Sequence, residues 1–88
     1  MEFEFDEAKS EQNRAKHGLD FREAQALWQD PNRLEIPART EGEPRIALIA
    51  RVRGQTWTAI FTLRENGIRI ISVRRARGKE QRLYDELP

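Results

Sequence analysis

The chain has 88 residues, too few to divide a core in two, so one domain spanning 1–88 is expected. With 35% charged and 38% hydrophobic residues it is polar, yet its apolar residues gather in strand-like runs, which argues against a disordered chain. The absence of cysteine excludes disulfides and thiolate metal sites, and the formal net charge of +1 hides an uneven layout: residues 1–30 carry four basic and eight acidic side chains, residues 64–88 seven and four.

The N-terminal strand signal is Phe3 and Phe5 alternating with Glu2 and Glu4. Asp6 reads as the N-cap of a helix over about 7–17, with Ala8, Gln12 and Ala15 as its less polar side. Lys16, His17 and Gly18 supply the stop, since cations complement the carboxyl end of the macrodipole and glycine accepts the left-handed conformation beyond it. A second helix follows at once. Asp20 and Glu23 have the spacing of a capping box, Leu19 and Ala24 that of a hydrophobic staple, and Phe21, Ala24, Leu27 and Trp28 are its core side. Asp30-Pro31 ends it.

From about residue 33 the period becomes that of strands. Residues 33–39 form a weak strand that Pro37 assigns to an edge, 40–44 a turn, and 45–53 a strong strand with Ile46, Leu48, Ala50 and Val52 on one side and Arg45, Ala47, Ile49, Arg51 and Arg53 on the other. Gly54-Gln55 has a hairpin signature, 56–64 and 68–74 are strands joined through Glu65-Asn66-Gly67, and 77–87 is a final helix with Glu80, Leu83, Tyr84 and Leu87 on one side. The expected class is therefore α+β: a short strand and two helices, then a mainly antiparallel sheet of about four strands and a C-terminal helix. With the helices collected on one face, the other face of the sheet is left open.

Of the sixteen basic residues only Lys9, Lys16 and Lys79 are lysine; the other thirteen are arginine, whose guanidinium grips phosphate in a bidentate fork. Strand periodicity lets Arg45, Arg64 and Arg74 converge near one end of the open face, the alternative being that they pair with nearby glutamates or point to water. One histidine and no cysteine argue against a structural zinc site, and no phosphate loop or serine hydrolase motif is present. The longest apolar run, residues 46–50, is too short to cross a bilayer, the N-terminus lacks the parts of a signal peptide, and a cytoplasmic location is expected.

In order along the chain, Phe5-Asp6, Lys9, Asn13, Lys16-His17-Gly18, Phe21 and Ala24, then Gly42-Glu43-x-Arg45, Thr62-x-Arg64, Ile68-Arg69-Ile70-Ile71-Ser72-x-Arg74, Glu80 and Tyr84 resemble the BrnT toxin family over nearly the whole length. Departures are Phe5 where tryptophan is frequent, Pro44 between Glu43 and Arg45, and Arg75 and Gly78 before the final helix. The resemblance implies a RelE-like toxin of a type II toxin–antitoxin system, cutting RNA without metal or cofactor by attack of a 2′-hydroxyl on the adjacent phosphate. It implies RNA as substrate, free or on the ribosome, a ribbon-helix-helix antitoxin, operator DNA reached only through that antitoxin, and no membrane partner. By the same resemblance Arg64 and Arg74 hold the phosphate, Arg45 that phosphate or its neighbour, Glu43 is a base, and Tyr84 a proton donor or stacking surface. His17 is open between a catalytic role and a structural or RNA-positioning one at the helix stop, and Lys16, Arg51, Arg53 and Arg77 are RNA contacts. The competing reading is a module that binds RNA or antitoxin without cleaving.

Overall fold

A computed structural model describes residues 1–38 and 42–86. The element order is β1 (Glu2–Glu4), α1 (Glu7–His17), a 3₁₀ helix (Glu23–Gln29), β2 (Leu34–Pro37), β3 (Ile46–Val52), β4 (Gln55–Arg64), β5 (Gly67–Arg75) and α2 (Gly78–Asp85). The strands form one sheet in the order β1-β5-β4-β3-β2. The class is α+β as expected, but the sheet has five strands and is mixed, because β1 joins it parallel to β5. Among the described residues no helix is long and apolar enough to cross a membrane.

The local signals around α1 act as the sequence implies. Asp6 accepts the Lys9 backbone N–H, and Gly18 at φ 88° sends its own N–H back to the Arg14 carbonyl. The buried side of α1 is nevertheless Ser10 and Asn13, while Ala8, Gln12 and Ala15 are exposed. Polar residues face inward because each meets a backbone group: the Phe21 N–H donates to Ser10 Oγ, the Val73 N–H donates to Asn13 Oδ1, and Asn13 Nδ2 donates to the Leu19 carbonyl. One amide thus ties α1 to β5 and to the following turn. Asp20 and Glu23 exchange backbone and side-chain hydrogen bonds at 3.1 and 2.7 Å, the expected capping box. The seven residues after Arg22 close as a 3₁₀ helix instead of an α-helix, a geometry proteins use in short pieces, and they bury Ala24, Leu27 and Trp28.

The core lies between these helical segments and one face of the sheet. It contains Leu19, Phe21, Ala24, Leu27 and Trp28 against Leu48, Ala50, Trp57, Ala59, Phe61, Ile68, Ile70 and Val73, with Phe3 and Phe5 packed on its border. Trp28 stands edge-on to both Phe3 and Phe61, at 5.1 and 5.4 Å between ring centroids.

Two details of the sheet depart from strict periodicity. The β3–β4 turn is Arg53-Gly54, both at positive φ (55° and 76°), so that Val52 pairs with Gln55 and the turn lies one residue earlier than expected. A bulge separates the Ile60–Ser72 and Phe61–Ile70 pairs, leaving Ile71 as the extra residue in β5. It reverses the alternation, so Val73 joins Ile68 and Ile70 on the core face and Arg74 falls on the opposite one. That second face is not open: α2 lies across it, with Thr58 bonded to Glu80 and the Arg51 guanidinium 5.4 Å from the Tyr84 ring. Of the segment between β2 and β3, residues 39–41 lie outside the described residues, as does Leu87, expected on the final helix.

β1 is seated by Gly67. A Cβ at this position would lie 1.9 Å from the Glu2 carbonyl oxygen, so only glycine lets the two backbones approach. This contact matters for the site, because β1 delivers Glu4.

Candidate functional site

The β4–β5 hairpin turns through Glu65 and Asn66, with Arg64 paired to Gly67 and Thr62 to Arg69. Arg64 and Arg69 therefore leave the second face of the sheet beside the end of β1. Arg64 Nε donates to Glu4 at 2.9 Å and Nη1 to Glu43 at 2.7 Å, while Arg69 Nη1 lies 3.6 Å from the same Glu4 oxygen. Arg45 precedes Ile46, which pairs with Phe61, and so comes level with this end of β4. The Arg64 hydrogen bond, assisted by the charges of Arg64 and Arg45, holds the Glu43 carboxyl below its ordinary pKa of 4.5. Three guanidinium groups and two carboxylates from β1, the segment before β3, β4 and β5 thus meet at one rim.

Arg74 is not part of this group. It pairs with Thr58, six residues along β4 from Arg64, which at about 3.3 Å per residue places the two arginine backbones about 20 Å apart. The convergence of Arg45, Arg64 and Arg74 expected from periodicity holds for the first two only, since it took no account of register. Arg74 instead forms a bidentate pair with Glu80, at 2.7 and 2.9 Å. Glu80 also accepts from the Thr58 hydroxyl and the Arg77 backbone N–H. Arg74, followed by the other two bonds, holds the Glu80 carboxyl at about 2 despite its burial.

Tyr84 is also committed. Its hydroxyl donates to Asp30 Oδ2 at 2.6 Å, and the Arg51 N–H donates to the same oxygen at 2.8 Å. Burial, then the bond to Asp30, raises the phenol above its ordinary pKa of 10.0. Burial pushes the Asp30 carboxyl up in turn, but the bonds from Tyr84, Arg51 and Asn32 outweigh it and leave it below the ordinary value. Arg51 lies 3.5 Å from Asp85, and Arg53 pairs with Glu23 at 3.2 Å from its place in the β3–β4 turn. Lys16 and His17 lie at the end of α1, His17 half-buried beside Ile71 and Ser72.

The two arginine sites differ in how firmly they are held. The Arg64 pairs are exposed, with 39% of the arginine side chain and 48–52% of its partners in water, whereas Arg74 and Glu80 retain 23% and 16%. Exposed ion pairs contribute little and exchange readily, while a bidentate pair closed in by further hydrogen bonds does not. A phosphate can take the place of a carboxylate on Arg64, and the Arg74–Glu80 pair fastens α2 to the sheet.

The comparison that decides the family is a match over residues 5–80 to the model of the ribonuclease toxin BrnT of type II toxin–antitoxin systems. The chain belongs to the BrnT family. No curated protein matches it significantly. BrnT toxins are ribonucleases of toxin–antitoxin systems, which gives the chain an RNA substrate and an antitoxin partner. Periodicity alone missed Glu4 and Arg69 as members of this rim. The signal for Arg69 was present, since a two-residue turn between Arg64 and Gly67 sets it opposite Thr62; nothing local marked β1 as the strand that brings Glu4.

Proposed function

We propose that the chain is a metal-independent endoribonuclease whose reaction centre is the rim of Glu43, Arg45, Arg64 and Arg69, with an RNA phosphodiester displacing the carboxylates from Arg64. The observation that carries this reading is the exchangeable, exposed Arg64 fork beside a second and a third arginine. In the reaction the 2′-oxygen bonds to phosphorus while its proton passes to Glu43, the bond to the 5′-oxygen breaks, and that oxygen takes a proton from water. Negative charge grows on the non-bridging oxygens, where preorganised guanidinium groups stabilise the transition state more than the ground state. Phosphate binding also relieves Glu43 of its bond to Arg64, which lifts its pKa toward a more effective base.

Arg74 and Tyr84 act in this reading by seating α2, with Arg51 and Arg77 close to the same contacts. His17 and Lys16 stand apart from the rim. A ribbon-helix-helix antitoxin neutralises the toxin by covering the arginine rim, and operator DNA is reached through the antitoxin alone; the toxin works in the cytoplasm. The filled Arg64 fork also favours a second reading, a module that binds RNA or antitoxin without cleaving. Incubating purified protein with RNA in EDTA separates them. Cleavage leaving 2′,3′-cyclic phosphate ends is expected, and its absence with and without ribosomes leaves the binding module.

A further inference from the structure

α1 divides its charges between two sides. Glu7, Glu11 and Arg14 line one side together with Asp20 and Arg22. Lys9, Gln12, Lys16 and His17 line the other, where they form a cleft of about 280 Å³ against Ile71 and Ser72 of β5. Among the described residues no ion pair involves Lys9, Lys16 or His17. Positive charge is thus collected at a concave place with no carboxylate among its lining residues, in contrast to the paired arginines of the rim.

The cleft opens at the β5 bulge. Arg69, which belongs to the rim, lies two to three residues before Ile71 and Ser72, about 7–10 Å along the strand. A few nucleotides of single-stranded RNA bridge that gap. Grooves that hold single strands place cations along the backbone, and lysine serves there as a point charge that needs no fixed orientation.

Building on the function proposed above, we propose that the cleft between α1 and the β5 bulge is a second RNA subsite, in which Lys9, Lys16 and His17 hold backbone phosphates flanking the scissile one. The strand would cross the edge of the sheet at the end of β1, passing from the Arg64 rim on one face to α1 on the other. The subsite supplies affinity and direction without touching the reacting atoms.

The test measures binding of a single-stranded RNA oligonucleotide carrying 2′-O-methyl groups throughout, which cannot be cleaved, across a range of salt concentrations. The Lys9→Gln/Lys16→Gln double variant is expected to bind about tenfold more weakly at low salt, with the log–log salt slope smaller by about 1.4, the value for two phosphate contacts on a single strand. Glu11→Gln, on the other side of α1, is expected to change affinity less than about twofold. Binding by the double variant within twofold of the parent at an unchanged slope overturns the subsite, as does an equal effect from Glu11→Gln. Arg64→Ala is measured alongside. Loss of binding in that variant alone leaves the rim standing and removes the subsite; loss in the lysine variant alone supports the subsite and removes the rim; no loss in either removes both.

Discussion

Glu80→Gln should destabilise the protein by about 2 kcal/mol at neutral pH and by very little near pH 2. The carboxylate that is lost accepts from Arg74, Thr58 and the Arg77 backbone, and stands at about 2 against an ordinary 4.5. At about 1.4 kcal/mol per pH unit the displacement corresponds to about 3 kcal/mol. That figure is an upper bound, because the pair keeps 23% and 16% of its side-chain surface in water and glutamine retains one acceptor. Since the folded value lies below the unfolded one, the contribution is complete above about pH 4.5 and is lost as the pH falls through about 2. Urea unfolding of parent and variant at pH 6 and pH 3 measures it, with the gap between them expected to shrink by about half or more at the lower pH. In thermal unfolding at neutral pH the same gap is roughly 10 °C for a domain of this size. A constant gap from pH 6 to pH 3 refutes the assignment of Arg74 and Glu80 as the fastening of α2.

Gly67→Ala should cost at least about 2 kcal/mol, read by urea unfolding, because the new methyl meets the Glu2 backbone and β1 must move, carrying Glu4 away from Arg64. Asp30→Ala removes the acceptor for Tyr84 and for the Arg51 and Asn32 backbones and should cost about 2–3 kcal/mol. Tyr84 is the only tyrosine in the chain, so its phenolate absorbance reports directly; the midpoint is expected above 10.0 in the parent and nearer that value in Asp30→Ala.

Much of the fold could be read from local chemistry. The Asp6 cap, the Gly18 stop, the Asp20–Glu23 box and the Pro37 edge strand follow from interactions within a few residues, and the structure contains each of them. The inward face of α1 could not be read this way, because Ser10 and Asn13 are polar and become core residues only through backbone groups of Phe21, Leu19 and Val73 that tertiary packing supplies. The same holds for α2, whose place over Thr58 and Arg51 is fixed by side chains distant in sequence.

Where the candidate site residues lie was only partly legible in the sequence. Arg45, Arg64 and Glu43 fall together because the segment before β3 comes level with the end of β4. Arg74 falls elsewhere because an antiparallel hairpin puts the start of one strand beside the end of the other, and periodicity gives the face of a side chain without its position along the sheet. The bulge at Ile71 is equally invisible to alternation, yet it decides which face receives Arg74.

The central claim is that the exposed Arg64 rim stabilises the transition state of RNA cleavage. Its most direct measurement is kcat/KM on an RNA substrate in EDTA for the parent, Arg64→Ala and Arg45→Ala, each shown to be folded by its thermal transition. A loss of at least about 100-fold for Arg64→Ala, with a smaller loss for Arg45→Ala, is the predicted result; cleavage by Arg64→Ala at the parent's rate contradicts the account.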